Sequence, residues 1–282
     1  MRGVTLQVAS GEHVAVIGPS GAGKTTLLHA LACALRLEAG SLQLGGRAPW
    51  AIPAADLQAL RGQLFLAPQV PPLPPRQRVI TSVLAGRLPQ QSLLESLRSL
   101  FYPSNIPLAD AALARFDLSD KLFERVDRLS GGERQRVGLA RALVAMSAAA
   151  PDRPKQDAAP SGGSYVREAT SGGATLLLVD EPLSALDPTR AVQAIDTLTQ
   201  AAREKGATLV ATLHHVEMAL GHFPRIIGMR AGQVAFDLPA AQVTPQLLQE
   251  LYAQHLHELT GPAPEAQDIV SAPAVPAAMH CR

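Results

Sequence analysis

Gly18-Pro19-Ser20-Gly21-Ala22-Gly23-Lys24-Thr25 has the residue types and spacing needed to hold a polyphosphate. It fits G-x-x-x-x-G-K-[ST], in which glycines let successive backbone N–H groups converge on one anion. Lys24 is placed to reach the β- and γ-phosphates, and the Thr25 hydroxyl to sit on a Mg²⁺ ion. Thr26 follows at the start of a helix whose positive end faces the same phosphates. The ligand implied is a nucleoside triphosphate.

Two further groups carry chemistry. Asp180 and Glu181 end an apolar run, Thr175–Val179, and open α/β sheets bind ligands at strand ends. Asp180 suits Mg²⁺, directly or through water, and Glu181 suits proton abstraction from water attacking the γ-phosphate. In isolation the pair would read as an acidic helix cap, but beside a phosphate loop the functional reading prevails. Ser130-Gly131-Gly132 repeats the small-residue, free N–H chemistry at a second helix start. One triphosphate needs one such cradle within its own subunit, so the second suggests a site completed by another copy of the chain.

These residues need elements to position them. His13–Ile17 is a short apolar run, readable as a buried parallel strand leading into the loop. Thr26–Leu35 is rich in helix formers and should contain Cys33 within the helix. Val4–Val8 alternates like a half-buried strand, and Ser41–Gly46 reads as another short strand. Gln63–Ala67 should be a core strand closed by Pro68-Gln69, and Val70–Pro75 an extended surface segment because of its prolines. Thr81 to Met146 is helical in pattern, interrupted once by Pro103 and Pro107. Its last helix has Ser130 as N-cap and Glu133 three residues on, as in a capping box. Thr208–Leu213 reads as a buried strand closed by His214-His215. Arg225–Met229 and Gln233–Asp237 form a hairpin through Ala231-Gly232.

Residues 147–174 are dominated by Ala, Pro, Gly and Ser and lose all periodicity, as expected of a surface loop. Residues 261–282 form a Pro/Ala-rich tail expected to be disordered. The organisation expected is one domain over 1–260, with a helical part at about 81–146.

Composition excludes several classes. Twenty-five Lys and Arg balance 24 Asp and Glu, so no basic field points to nucleic acid. Aromatic residues at 4% offer little base-stacking surface. Cys33 and Cys281 cannot build a disulfide framework or a metal cluster, which fits a cytosolic setting. No run of about 18 apolar residues suggests a membrane span, and no secretory signal pattern opens the chain.

Together, Gly18–Thr25, Leu129–Glu133 and Leu176–Glu181 resemble, in order, the Walker A, signature and Walker B motifs of ABC ATPases. The resemblance covers roughly residues 3–255. It implies a P-loop NTPase of α/β class with a RecA-like core, an antiparallel β subdomain and an α-helical signature subdomain. It also implies that Gln69 is the Q-loop glutamine, contributing to catalysis and to Mg²⁺. Ser184–Asp187 becomes the D-loop and His214 the switch histidine. Alone, Gln69 and His214 would pass for solvated loop residues; His13, His29, His215 and His222 receive no role. ATP and Mg²⁺ are the implied ligands. Implied too is a head-to-tail homodimer in which Ser130–Gly132 closes the partner's site. The rest of the machine would be membrane permease subunits and, indirectly, a periplasmic solute-binding protein, placing the chain on the cytoplasmic face of the inner membrane.

A finer resemblance lies in Val83–Leu88, Ser99–Phe101, Leu213–Ala219 and Arg225–Arg230, which look like ATPase subunits of phosphonate importers. Amino acids or another small polar solute are the alternative cargo. A non-transport ABC ATPase is the alternative class, usually marked by paired ATPase domains, a long coiled-coil insertion or a basic surface. Three departures stand out: the 147–174 insert, the proline run after Gln69, and the absence of the upstream aromatic that stacks on adenine.

Overall fold

A computed structural model of the chain describes residues 3–91, 94–97, 105–147 and 175–253. Expectations for Ser99–Phe101, Pro103, all but the first residue of the 147–174 insert, and the 261–282 tail lie outside them.

The apolar run His13–Ile17 forms β1, buried at every position. After the glycine loop comes α1 (Lys24–Leu31), then α2 (Ala54–Arg61) and β2 (Leu64–Ala67). The helical part contains α3 (Val79–Leu84), a 3-10 turn at Ala85–Gln90, α4 (Ile106–Ala114) and α5 (Gly131–Met146). Then follow β3 (Leu176–Asp180), α6 (Pro188–Glu204), β4 (Thr208–Thr212) and α7 (Val216–His222). The hairpin β5 (Arg225–Arg230) and β6 (Gln233–Pro239) and the helix α8 (Pro245–Leu251) complete the described part.

One six-stranded sheet has the order β2-β3-β4-β1-β5-β6. Every neighbouring pair from β2 to β5 is parallel, and β6 alone runs antiparallel. The central strands therefore read as continuous apolar runs, as strands covered on both faces must. One core joins Ala15, Leu177 and Leu209 of the sheet to Ile80, Leu113 and Val144 of the helical part. A second lies on the other face, where Leu27 and Leu28 of α1 meet Val14, Val16 and Leu178.

The structure corrects four expectations. Residues 81–146 are not helical with one break. Asp117, in the left-handed region at φ 54°, ends the segment after α4, and single 3-10 turns at Ser119–Lys121 and Val126–Arg128 follow. Pro107 does not interrupt a helix but lies in the first turn of one, where its missing N–H costs nothing. Cys33 is buried but lies beyond α1, because its own φ of 55° ends the helical path. Residues 4–8 and 41–46 form no named strand; Leu44 makes only an isolated bridge to Arg47. Val4, Leu6 and Val8 nevertheless turn inward against the second core, so the alternation in the sequence reported burial rather than pairing.

Candidate functional site

Parallel strands put their C-terminal ends on one edge of the sheet, and there the predicted residues converge. The glycine loop follows β1, Gln69 follows β2, Asp180 ends β3 with Glu181 next to it, and His214 follows β4.

The loop keeps its shape through backbone geometry. Gly18, at φ 148°, lies so close to β5 that a Cβ there would be 2.1 Å from the Met229 carbonyl oxygen. Gly21 and Gly23 also have positive φ, at 77° and 97°. No side-chain cap bond forms at Gly23, the N-cap of α1, and the first N–H groups of a helix have no acceptor within it. Lys24 is only 5% exposed, and its ammonium donates to the carbonyl oxygens of Gly18 (2.8 Å) and Pro19 (3.2 Å). Ser20, Gly21, Thr25 and Thr26 are exposed at this rim, while Ala22 is buried and packs into the second core.

Asp180 is 3% exposed, and its Oδ1 accepts a 2.6 Å hydrogen bond from the Thr212 hydroxyl. That hydroxyl in turn accepts the Glu181 N–H at 2.9 Å. Glu181 has a left-handed φ of 45°, rare for a residue with a side chain. Its Oε1 lies 2.5 Å from His214 Nε2. Burial pushes the Glu181 carboxyl up, but the His214 hydrogen bond and charge and the Lys24 ammonium together bring it below the usual carboxylate value. Lys24, Glu181 and His214 are thus electrostatic neighbours, although 157 and 33 positions separate them in sequence (181 − 24 and 214 − 181).

Gln69 is exposed two residues past β2. Ser130, Gly131 and Gly132 sit elsewhere, at the start of α5. There the capping box forms as the sequence predicts: Glu133 N–H donates to Ser130 Oγ at 3.2 Å, and Ser130 N–H to Glu133 Oε2 at 2.8 Å. Gly132 packs toward Ser184–Asp187, a Cβ there falling 3.1 Å from the Ala185 carbonyl oxygen. Asp187 caps α6 by accepting the Arg190 N–H at 3.0 Å. Sequence reasoning missed two contributors. Thr212 had a visible signal, a hydroxyl at the end of an otherwise buried strand. Tyr252, whose hydroxyl accepts the Gly18 N–H at 3.1 Å, had none.

The donor set suits Mg²⁺. A buried carboxylate, with hydroxyl and amide oxygens that follow strand ends on the same sheet edge, offers hard ligands, and Mg²⁺ typically takes one or two carboxylates plus substrate phosphates. Among the described residues no cluster of three His, Cys, Asp or Glu forms a metal cage. No helix of the described part is long and apolar enough to cross a membrane.

A family model described as ABC transporter matches residues 1–149. The phosphonates import ATP-binding protein PhnC of a Polaromonas species is 69% identical over 282 residues, covering 100% of this chain and 92% of that protein. Its namesake PhnC 2 of Albidiferax ferrireducens is 65% identical over 283 residues, with coverage of 100% and 92%. Among solved structures, a dimeric bacterial ABC transporter cassette aligns with a TM-score of 0.63 at 23% identity. That alignment covers 84% of this chain and 89% of the cassette.

Proposed function

The chain belongs to the ABC transporter family and is an ATPase; we propose that it powers an importer of phosphonates or related phosphorus oxyanions. One observation carries the chemistry: phosphate loop, acid pair, glutamine and histidine all end parallel strands on a single sheet edge. The cargo follows from the names of relatives at 69% and 65% identity, since the site itself is built for ATP.

In this reading, backbone N–H groups of Gly21, Gly23, Lys24, Thr25 and Thr26 cradle the phosphates within the Gly18–Thr25 loop, and Lys24 binds the β- and γ-oxygens. Thr25, Asp180 and Gln69 would hold Mg²⁺, which offsets phosphate charge when bound. Glu181 accepts the proton of the attacking water, oriented by His214. Its depressed proton affinity fits a base that must be ionised beforehand, and part of the depression comes from Lys24. Phosphates beside Lys24 cancel that part, so proton affinity rises when substrate is present.

Ser130, Gly131 and Gly132 face no triphosphate of their own subunit and would close the site of a second copy. The active species is then a homodimer on the cytoplasmic face of the inner membrane, docked on permease subunits and served indirectly by a periplasmic solute-binding protein. Residues 1–260 would form the ATPase domain, with residues 81–146 as its helical part. The exposed Val70, 74% accessible, and the prolines after it belong to the surface turned toward the permease. Deleting the gene should abolish growth on a phosphonate as sole phosphorus source and spare growth on phosphate. Unimpaired phosphonate growth, with no second such system in the cell, would refute the cargo and leave the ATPase intact.

A further inference from the structure

We propose that Thr212 is a positioning residue for both acids of the site, acting through a single hydroxyl. This rests on the reading of Asp180 as a Mg²⁺ ligand and Glu181 as the base.

The register of the sheet puts the two side by side, Asp180 of β3 opposite Thr212 of β4. Thr212 also pairs with Val16 of β1, so it sits between two strands, and it is 0% exposed. A hydroxyl has one proton to give, and here it goes to Asp180 Oδ1 at 2.6 Å. Its oxygen receives the Glu181 N–H at 2.9 Å.

Each bond has a separate consequence. The first fixes the carboxylate of Asp180 and leaves its other oxygen for a cation. The second gives a partner to the backbone of a residue that has turned into the left-handed region, φ 45°. From that turn the Glu181 carboxylate lies 2.5 Å from His214. Thr212 and His214 stand two positions apart at the end of one strand and hold the Asp180-Glu181 pair at three points. Thr212 takes the Asp180 side chain and the Glu181 backbone; His214 takes the Glu181 side chain. Residues that orient a metal ligand without touching the metal are worth roughly 10–100-fold when removed.

Thr212→Val keeps the branched shape and removes both bonds; Thr212→Ser keeps the hydroxyl. With purified full-length chain, Thr212→Val should lower kcat for ATP roughly 10–100-fold with KM within about threefold, and raise the Mg²⁺ concentration for half-maximal rate. Thr212→Ser should stay within about threefold of wild type on all three measures. A readout independent of turnover is amide hydrogen exchange, in which the Glu181 N–H should exchange faster in Thr212→Val and at the wild-type rate in Thr212→Ser. Equal kcat and equal exchange for Thr212→Val and wild type would overturn the proposal. So would a Thr212→Ser as impaired as Thr212→Val, since the hydroxyl would then not be the cause. Glu181→Gln, run in parallel, separates the two levels: if it is inactive while Thr212→Val is normal, only the role of Thr212 fails. If Glu181→Gln turns over normally, the base assignment fails and the proposal with it.

Discussion

Tyr252 and Gly18 are 234 positions apart, yet the Gly18 N–H donates to the Tyr252 hydroxyl at 3.1 Å inside the protein. The ring is 1% exposed and sits directly after α8, so the end of the described chain braces the first residue of the phosphate loop. Tyr252→Phe would leave a buried N–H without this acceptor, at a cost of roughly 1–3 kcal/mol. In a domain of this size that lowers Tm by about 2–4 °C per kcal/mol. Thermal melts should show this fall, and isothermal titration should show weaker ATP binding. Unchanged Tm and Kd would mean that the loop is braced by its contacts to β5 alone.

Lys24→Ala removes the charge proposed to meet the phosphates and also two bonds that close the loop on itself, to Gly18 and Pro19. Charge-assisted contacts of this kind are about twice as strong as neutral ones. Hydrolysis should therefore become undetectable while the fold survives, because Lys24 lies at the loop rather than in either apolar core. A phosphate-release assay with circular dichroism is the check, and wild-type turnover would remove the loop from the catalytic site.

What was legible in the sequence, and what was not, divides along range. The glycine loop between β1 and α1, the strand end at Asp180-Glu181 and the Ser130–Glu133 capping box depend on residues within a few positions of one another, and each of these local structures forms as read. His214 could be placed only by family order, since nothing local marks it as the partner of Glu181. The helix after the loop stops at Leu31 because Cys33 adopts a left-handed φ, which residue type alone does not announce for cysteine. Val4–Val8 kept its alternation without becoming a strand, because period-two burial needs only a core while a strand needs a neighbour. Thr212 and Tyr252 act across strands or across the whole chain, where no sequence spacing can show them.

His13 lies at the start of β1, 4% exposed. Burial, and after it the Arg203 charge, hold its imidazole below its ordinary value of 6.5, with the Ala207 backbone acting in the opposite sense. The folded state thus binds this proton less readily than the unfolded state. Stability is complete above about pH 6.5 and is lost as pH falls below it toward the folded value. Melting curves between pH 7.5 and 5.5 should show Tm declining with acid, and the decline should be shallower in His13→Leu. Parallel curves for the two proteins would show that His13 contributes nothing to the acid limb.

Glu181→Gln tests the base and the shared site together. The amide preserves the size of the side chain and an oxygen for His214 Nε2, now 2.5 Å from Oε1, but cannot accept a proton. Hydrolysis should fall by roughly 10²–10⁴-fold, the usual contribution of a general base. ATP would then persist, and two chains that each need the other's Ser130–Gly132 should remain joined. Size-exclusion chromatography should show a dimer with ATP and a monomer without it. A second substitution isolates the contact: Gly131 has open space where a Cβ would go, so Gly131→Glu leaves the monomer's packing undisturbed. It would, however, set a carboxylate against the partner's triphosphate, and like charges at close range oppose docking. The Glu181→Gln, Gly131→Glu double variant should bind ATP with unchanged affinity yet elute as a monomer. A double variant that still dimerises with ATP would show that the α5 start does not face the partner's nucleotide.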